Sequence, residues 1–496
     1  MQLKNIIVKK EKTNYREEST VKILLGSGRL TAGQVASICG GTLYQVGCED
    51  DVLFETVCTD SREADRTSMF VAMRGERVDG HSYIPNVVKA GCRCVLAERV
   101  PLDVKGICVI IVPDSLRAIK ALAEHVKSKI ELRTVGVTGS VGKTTTKEFI
   151  SAVLDRKFSL YKTAGNFNSV LGMPMSMLEL NKNNDAAVFE MGMSGFGEIE
   201  YMSDAARPDV AVITNIGSSH LEALGSRENI CRAKLEIATG LRDGGTLLLN
   251  GDEPLLAGHS SDRYNTLYFG MNNEGCDFFA SRVRVKEDGI VFDLRTPDSS
   301  YKDIEICVAG RHNVYNAMVA FAIGIKMGVE EKEIREGLKG YKSVGMRQNI
   351  YKINGVTVIE DCYNASPESM NAAINVLDDT AKAHGGRMIA LLGDMRELGT
   401  GSAALHAKVG SYLAEKRADY LFTYGELSEN LANGALESGM QENRIFRSPI
   451  TDAEAVGEKI LGIIKEGDVL LVKASRALAA ENVLNYVKTH MSAAAN

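Results

Sequence analysis

Three absences narrow what this 496-residue sequence can be. It lacks a basic excess: 58 lysines and arginines stand against 64 aspartates and glutamates, for a formal net charge of -6. That balance offers no electrostatic footprint for nucleic acid or for an anionic membrane, and it argues against helicases and other nucleic-acid motors. It lacks long hydrophobic runs. No segment approaches the ~20 apolar residues of a membrane span, and the early lysines (Lys4, Lys9, Lys10, Lys12) lead into no apolar stretch of signal-peptide length. A cytoplasmic protein without membrane insertion is expected. It also lacks the cysteine spacing of a metal site. The 10 cysteines are scattered, and the one close pair, Cys92 and Cys94, has a single residue between its members and no second pair or histidine beside it. Reduced, mostly buried thiols follow. There are no internal repeats and no low-complexity tracts.

What is present is the composition of an ordinary soluble globular protein, 45% hydrophobic and 25% charged, in a chain long enough for about three domains. Its organising stretch is 134–148. A β-branched strand over 134–137 runs into a glycine-containing loop and then into a helix that begins with Lys143 and Thr144. Gly139 and Gly142 leave room for backbone N–H groups to face a polyphosphate, and the helix N-terminus adds partial positive charge. Lys143 is placed to reach the β- and γ-phosphates, and the Thr144 hydroxyl to ligate Mg2+. Val137 stands where the strict P-loop pattern has its first glycine, so the match is to a shorter variant, Gly-x-x-Gly-Lys-Thr.

Ahead of this loop, residues 1–27 read as a charged extension outside the first domain. A helix over 30–41, strands over 92–97 and 107–112, and helices over 85–90 and 114–130 make a small α/β domain ending near Arg133. Arg62, Arg74, Arg77 and His81 gather donors that suit either a clamp for a phosphorylated ligand or a solvated loop rim. After the P-loop, strands over 186–190, 210–215, 246–249 and 266–269 alternate with helices, as a parallel sheet requires. Glu190 ends one of these strands and His220 follows another, where ligands of such sheets sit; both are candidate Mg2+ or γ-phosphate contacts. Lys234 falls on an apparent helix, where a lysine is ordinarily solvated. Asn313 and Asn316 lie one turn apart at a helix start, as caps or as amides that read a base edge. A third α/β pattern begins near Arg347, with strands over 356–359, 388–392, 420–424 and 469–472, no second P-loop, and polar clusters over 361–370, 393–399 and 473–476.

Taken in order, these motifs resemble the Mur ligase family of peptidoglycan precursor synthesis. The carrying residues are Thr138-Gly-Ser-Val-Gly-Lys-Thr-Thr145, Gly165-Asn-Phe-Asn168 with Gly172-Met-Pro174, Glu190-Met-Gly192, His220-Leu-Glu222 with Ala233-Lys234, His312-Asn313 with Asn316, and the runs 361–370 and 393–399. Lys473-Ala-Ser-Arg-Ala-Leu-Ala-Ala-Glu481 departs mildly from the family's Lys-Gly-Ser-Arg-x-Met-x-x-Glu, at Ala474 and Leu478.

The resemblance implies an α/β fold of three domains: a UDP-substrate-binding domain over 28–133, a central P-loop ATP-binding domain over 134–343, and a Rossmann-like domain over 344–496 that contacts dipeptide and nucleotide. It implies ATP and Mg2+ as cofactors. The 165–168 and 361–370 runs further imply addition of D-alanyl-D-alanine to a UDP-N-acetylmuramoyl-tripeptide through an acyl phosphate, by a monomer that binds no nucleic acid. Lys143, Glu190, His220 and Lys234 would be catalytic. Thr138, Gly139, Ser140, Val141, Gly142, Lys143, Thr144, Thr145, Asn313, Asn316, Arg347 and Asp361 would hold the nucleotide. Thr144, Glu190, His220 and a carbamylated Lys234, as some family members have, would hold metal. Ser61 and Arg62 would take the uridine diphosphate end, and Asn166, Asn168, Asn364 and Ser366 would contact substrate. The rival readings are a sibling ligase adding one amino acid, a P-loop kinase or NTPase with no amine acceptor, and a nucleotide-binding scaffold with no chemistry.

Overall fold

The computed structural model describes residues 22–47, 51–75, 78–101, 104–286 and 288–493. Three segments of the chain each build a sheet. The first is six-stranded, in the order Lys22–Leu24, Thr56–Cys58, Ser68–Val71, Cys94–Ala97, Ile107–Ile111, Thr42–Val46, with a parallel centre and an antiparallel strand at each edge. Its main helix, Ser115–Ser128, is capped by Asp114, whose side chain accepts from the Arg117 N–H; Ala118, Ile119, Leu122, Ala123 and Val126 form its buried stripe at helical spacing.

One expectation is corrected at the outset. Residues 22–27 are not an extension: Lys22–Leu24 pairs with Thr56–Cys58, Ile23 is buried in the core, and the Gly26 N–H donates to Leu178 O of the next domain. A three-residue edge strand with one inward side chain is too short to show alternation. The remainder of that segment, 1–21, lies outside the described residues.

The central sheet has nine strands. Leu160–Lys162, Ala186–Glu190, Arg133–Thr138, Val210–Ile213, Thr246–Asn250 and Asn265–Gly270 run parallel, and Phe278–Lys286, Gly289–Arg295 and Ser300–Ile306 add an antiparallel meander. The meander escapes the sequence reading because irregularities at 281–284 and 292–294 break the two-residue alternation. Both faces of the sheet are buried. Val135, Val137, Val188 and Val212 face the helices Lys143–Leu154, Asn313–Lys326 and Glu331–Gly340, whereas Ala187, Phe189, Ala211 and Ile213 join a core continuous with that of the first domain. From Arg133–Thr138 the chain crosses to one side through helix Lys143–Leu154 and later to the other side at Val210–Ile213. A crevice therefore opens at the strand's carboxyl end.

The third sheet runs Asn349–Ile353, Val356–Asp361, Val469–Lys473, Met388–Gly393, Tyr420–Tyr424, Ile445–Phe446, parallel apart from the first hairpin. The carboxyl ends of its strands, with the start of helix Pro367–His384, face the same crevice. Among the described residues no helix is long and apolar enough to cross a membrane.

Candidate active site

Strand Arg133–Thr138 delivers the loop from inside the sheet. The Thr138 hydroxyl donates to Met191 O at 2.7 Å, tying it to the strand that ends in Glu190. Gly139 has φ 149°, and a Cβ there would lie 1.8 Å from Thr214 Oγ1, so no other residue fits without displacing that neighbour. Gly142, at φ 84°, turns the chain into helix Lys143–Leu154 with no side-chain cap. The first-turn N–H groups are thus left to an anion. The Ser140 and Val141 N–H groups donate to Asn215 O (3.1 Å) and Asn215 Oδ1 (2.9 Å), which holds the loop open. Lys143 folds back, its Nζ donating to Gly139 O at 2.9 Å and Ser140 O at 3.4 Å. Burial holds its ammonium below the usual lysine range, with Glu190 opposing and Arg347 adding to the depression.

Beside the loop, Glu190 Oε1 accepts from Thr144 Oγ1 (3.1 Å) and Asn168 Nδ2 (2.8 Å). Glu190 Oε2 is buried with no hydrogen-bond partner among the described residues, 3.7 Å from Lys147 Nζ. Lys147 itself is 1% exposed, 3.3 Å from Glu148 Oε1, and donates to Thr163 O at 2.7 Å. The sequence reading missed it. Its signal was its position four residues after Lys143, on the same helical face.

Across the crevice, Lys473 donates to Asp361 Oδ2 (2.7 Å) and Asn364 O (2.8 Å) while only 2% exposed. The Arg347 guanidinium lies 3.9 Å from the centre of the Tyr363 ring. The cleft so enclosed is about 400 Å³, within the range of small-molecule sites. It is lined by central- and C-terminal-domain residues, including Ser140, Val141, Gly142, Lys143, Thr144, Thr145, Asn168, Glu190, His220, Asn313, Asn316, Arg347, Asp361, Asn364 and Ser366. Thr138 and Gly139 lie behind this lining as the loop's stem.

Models of the Mur ligase middle domain, of the Mur ligase glutamate ligase domain and of the Mur ligase family catalytic domain match residues 137–324, 346–476 and 54–129. The UDP-N-acetylmuramoyl-tripeptide--D-alanyl-D-alanine ligase of Bacillus subtilis is 39% identical over 92% of this chain and 97% of its own. The chain belongs to the Mur ligase family. The Escherichia coli ligase of the same name is 33% identical over 92% of this chain and 97% of its own. A crystal structure of MurF from Acinetobacter baumannii superposes with a TM-score of 0.84 at 31% identity, covering 94% of this chain and 100% of that one. MurF ligase from Thermotoga maritima, solved in complex with ADP, gives 0.78 at 30% identity, covering 88% and 98%.

At several expected site residues of this Mur ligase the structure narrows the alternatives. Asn313 and Asn316 are not caps: Asn316 Nδ2 donates to Asn313 Oδ1, Thr146 Oγ1 to Asn316 Oδ1, and Asn313 Nδ2 to Ala309 O, so both amides are fixed against the cleft wall. Ser366 is the N-cap of helix Pro367–His384, in a reciprocal capping box with Ser369. Lys234 is not solvated. It is 1% exposed on helix Arg227–Leu235, behind the cleft lining, and burial together with the nearby Lys143 drives its ammonium well below the usual lysine range. His220, in the left-handed region at φ 64°, places Nδ1 2.6 Å from Glu397 Oε2 of the C-terminal domain.

Ser61, Arg62 and Asn166 do not line the cleft. Arg62, with its side chain 76% exposed on the first domain, is held by Asp60 at 2.6 Å. The clamp it was read into is incomplete: His81 is buried between Asp79 (2.6 Å from Nδ1) and the Glu98 N–H, and Arg77 lies outside the described residues. Glu368 and Glu397 were missed because their partners, Ser218 and His220, are distant in sequence.

Proposed function

We infer that the protein is an ATP-dependent ligase that joins D-alanyl-D-alanine to a UDP-N-acetylmuramoyl-tripeptide, releasing ADP and phosphate, in peptidoglycan precursor synthesis. The observation that carries this is the single cleft in which the P-loop rim faces the Asp361–Ser366 run of the C-terminal domain. An amine cannot displace oxygen from a carboxylate, so the peptide carboxylate first takes the γ-phosphoryl group of ATP. The dipeptide amine then attacks the acyl phosphate, a tetrahedral adduct forms, and phosphate leaves. Lys143 is poised for the first step: released from the Gly139 and Ser140 carbonyls, it can follow the charge of the moving phosphoryl group.

The residues fit a divalent cation. Glu190 offers a buried oxygen with no hydrogen-bond donor, and the Thr144 hydroxyl lies against the other oxygen. Thr144 and Glu190 would hold Mg2+, with His220 contributing through Nε2, since Nδ1 is committed to Glu397. The ion would neutralise phosphoryl charge. Arg347 and Asp361 would contact the nucleotide from the C-terminal side, Asn168 and Asn364 the peptide substrates, and Ser61 and Arg62 the uridine diphosphate. The reading includes a cytoplasmic location, where ATP is available.

Phosphate release measured over a panel of amino acids and dipeptides with UDP-linked peptide acceptors tests the reading. Turnover should require both a UDP-N-acetylmuramoyl-tripeptide and D-alanyl-D-alanine. Equal turnover with ATP alone would make the protein an NTPase, and preference for a single amino acid would make it a sibling ligase.

A further inference from the structure

Glu368 is the second residue of helix Pro367–His384, yet its carboxylate is engaged by the other domain. Oε1 accepts from both the N–H (2.9 Å) and the hydroxyl (2.8 Å) of Ser218 in the central domain. Oε2 is buried with no hydrogen-bond partner among the described residues. A carboxylate kept half-satisfied in a buried place costs stability and calls for a reason.

The reason lies in what Ser218 is attached to. The segment 214–217 is stitched to the phosphate loop: Thr214 Oγ1 donates to Val141 O (2.6 Å), Asn215 O and Oδ1 take the Ser140 and Val141 N–H groups, and the Gly217 N–H donates to Ser140 Oγ (2.8 Å). These bonds fix the shape of the loop that a bound polyphosphate would enter. The next residue, Ser218, gives two donors to Glu368. The approach there is close, for a Cβ on Gly217 would lie 2.8 Å from the Glu368 carboxyl carbon. On the far side of Glu368, the same helix start presents Asn364, Ser366 and Ser369 to the cleft.

We propose that Glu368 is a positioning residue that couples the state of the phosphate loop, through 214–218, to the C-terminal domain's face of the cleft, where the dipeptide is bound. The substrate named here rests on the function inferred above; the coupling itself does not. The competing role is local: an acidic residue in a helix's first turn stabilises that helix and nothing more.

Two measurements on the full chain separate these. First, hydrogen exchange is followed with and without ADP. In the parent, ADP slows exchange at 139–146 and also at 366–372. In Glu368→Ala, ADP binds within about twofold of parental affinity and still protects 139–146, but no longer 366–372. Second, steady-state phosphate release is measured. Because a hydrogen bond to a charged acceptor is lost, kcat/KM for D-alanyl-D-alanine should fall on the order of tenfold to a hundredfold, with KM for ATP little changed. Glu368→Gln, which keeps a neutral acceptor, should lose less, and Gly217→Ala should reproduce the defect from the opposite domain. The proposal is overturned if ADP still protects 366–372 in Glu368→Ala, or if the variant only melts earlier with both KM values parental or changed in equal proportion. A parent that releases no phosphate in response to the dipeptide defeats the functional reading instead, and the exchange experiment still decides the coupling.

Discussion

Replacing Lys234 with methionine should raise the stability of this ligase while removing its activity. The side chain is buried in helix Arg227–Leu235 at 1% exposure, makes no hydrogen bond or ion pair with another described residue, and is repelled by Lys143. Methionine fills much the same volume without the charge. Removing the cost of burying that amine is worth about 1–3 kcal/mol. The sign with pH is fixed. A lysine whose folded-state pKa is depressed makes the folded state bear the cost of the charge below that pKa, and the cost fades as pH rises toward the usual lysine value of 10.5. The advantage of Lys234→Met in urea unfolding should therefore be largest at low pH and shrink in alkali.

The same depression favours the neutral amine, the form that reacts with CO2, and carbamylation would turn a cation that repels Mg2+ into a carboxylate able to bind it. Phosphate release should accordingly fall at least about 10²-fold in Lys234→Met and in Lys234→Ala. Formate or acetate should partly restore Lys234→Ala by occupying the vacated space. The parent equilibrated with 13C-bicarbonate should show a carbamate carbon signal that Lys234→Met lacks. Parental activity in Lys234→Ala, or unchanged stability of Lys234→Met across the pH range, would refute the reasoning.

Three further outcomes are expected. Lys143→Ala should keep the fold, since it removes only the Nζ hydrogen bonds to two loop carbonyls, and lose on the order of 10²-fold or more in turnover; near-parental rates would remove it from the mechanism. Gly139→Ala places a Cβ 1.8 Å from Thr214 Oγ1 at a left-handed φ and should cost roughly 2 kcal/mol or more in urea unfolding, with loss of ADP binding by calorimetry. Lys147→Met leaves Glu148 and Glu190 without the ammonium that lies 3.3 Å and 3.7 Å from them, and should destabilise by about 3 kcal/mol in thermal or urea melts; an unchanged melt would show that neither carboxylate depends on it.

Whatever depended on near neighbours was legible in the sequence. The P-loop follows from a β-branched strand, two glycines and a lysine within ten residues, and the three-domain α/β alternation from runs whose period is set by the local backbone. Glu190 and Asp361 stood out in the sequence because a strand end is a local event and parallel sheets gather such ends on one side. Tertiary structure alone decided the rest. It made Lys234 buried rather than solvated, paired Asn313 with Asn316 and Thr146, placed Lys147 beside Glu190, recruited Lys22–Leu24 into the first sheet, and brought Ser218 and His220 against Glu368 and Glu397, 150 residues or more further along the chain. The physical reason is the same in each case. A helix or strand records only which of its faces is apolar, whereas which polar side chains meet inside is set by how sheets and domains pack, and that information is spread over the chain as shape and volume rather than written in any one stretch.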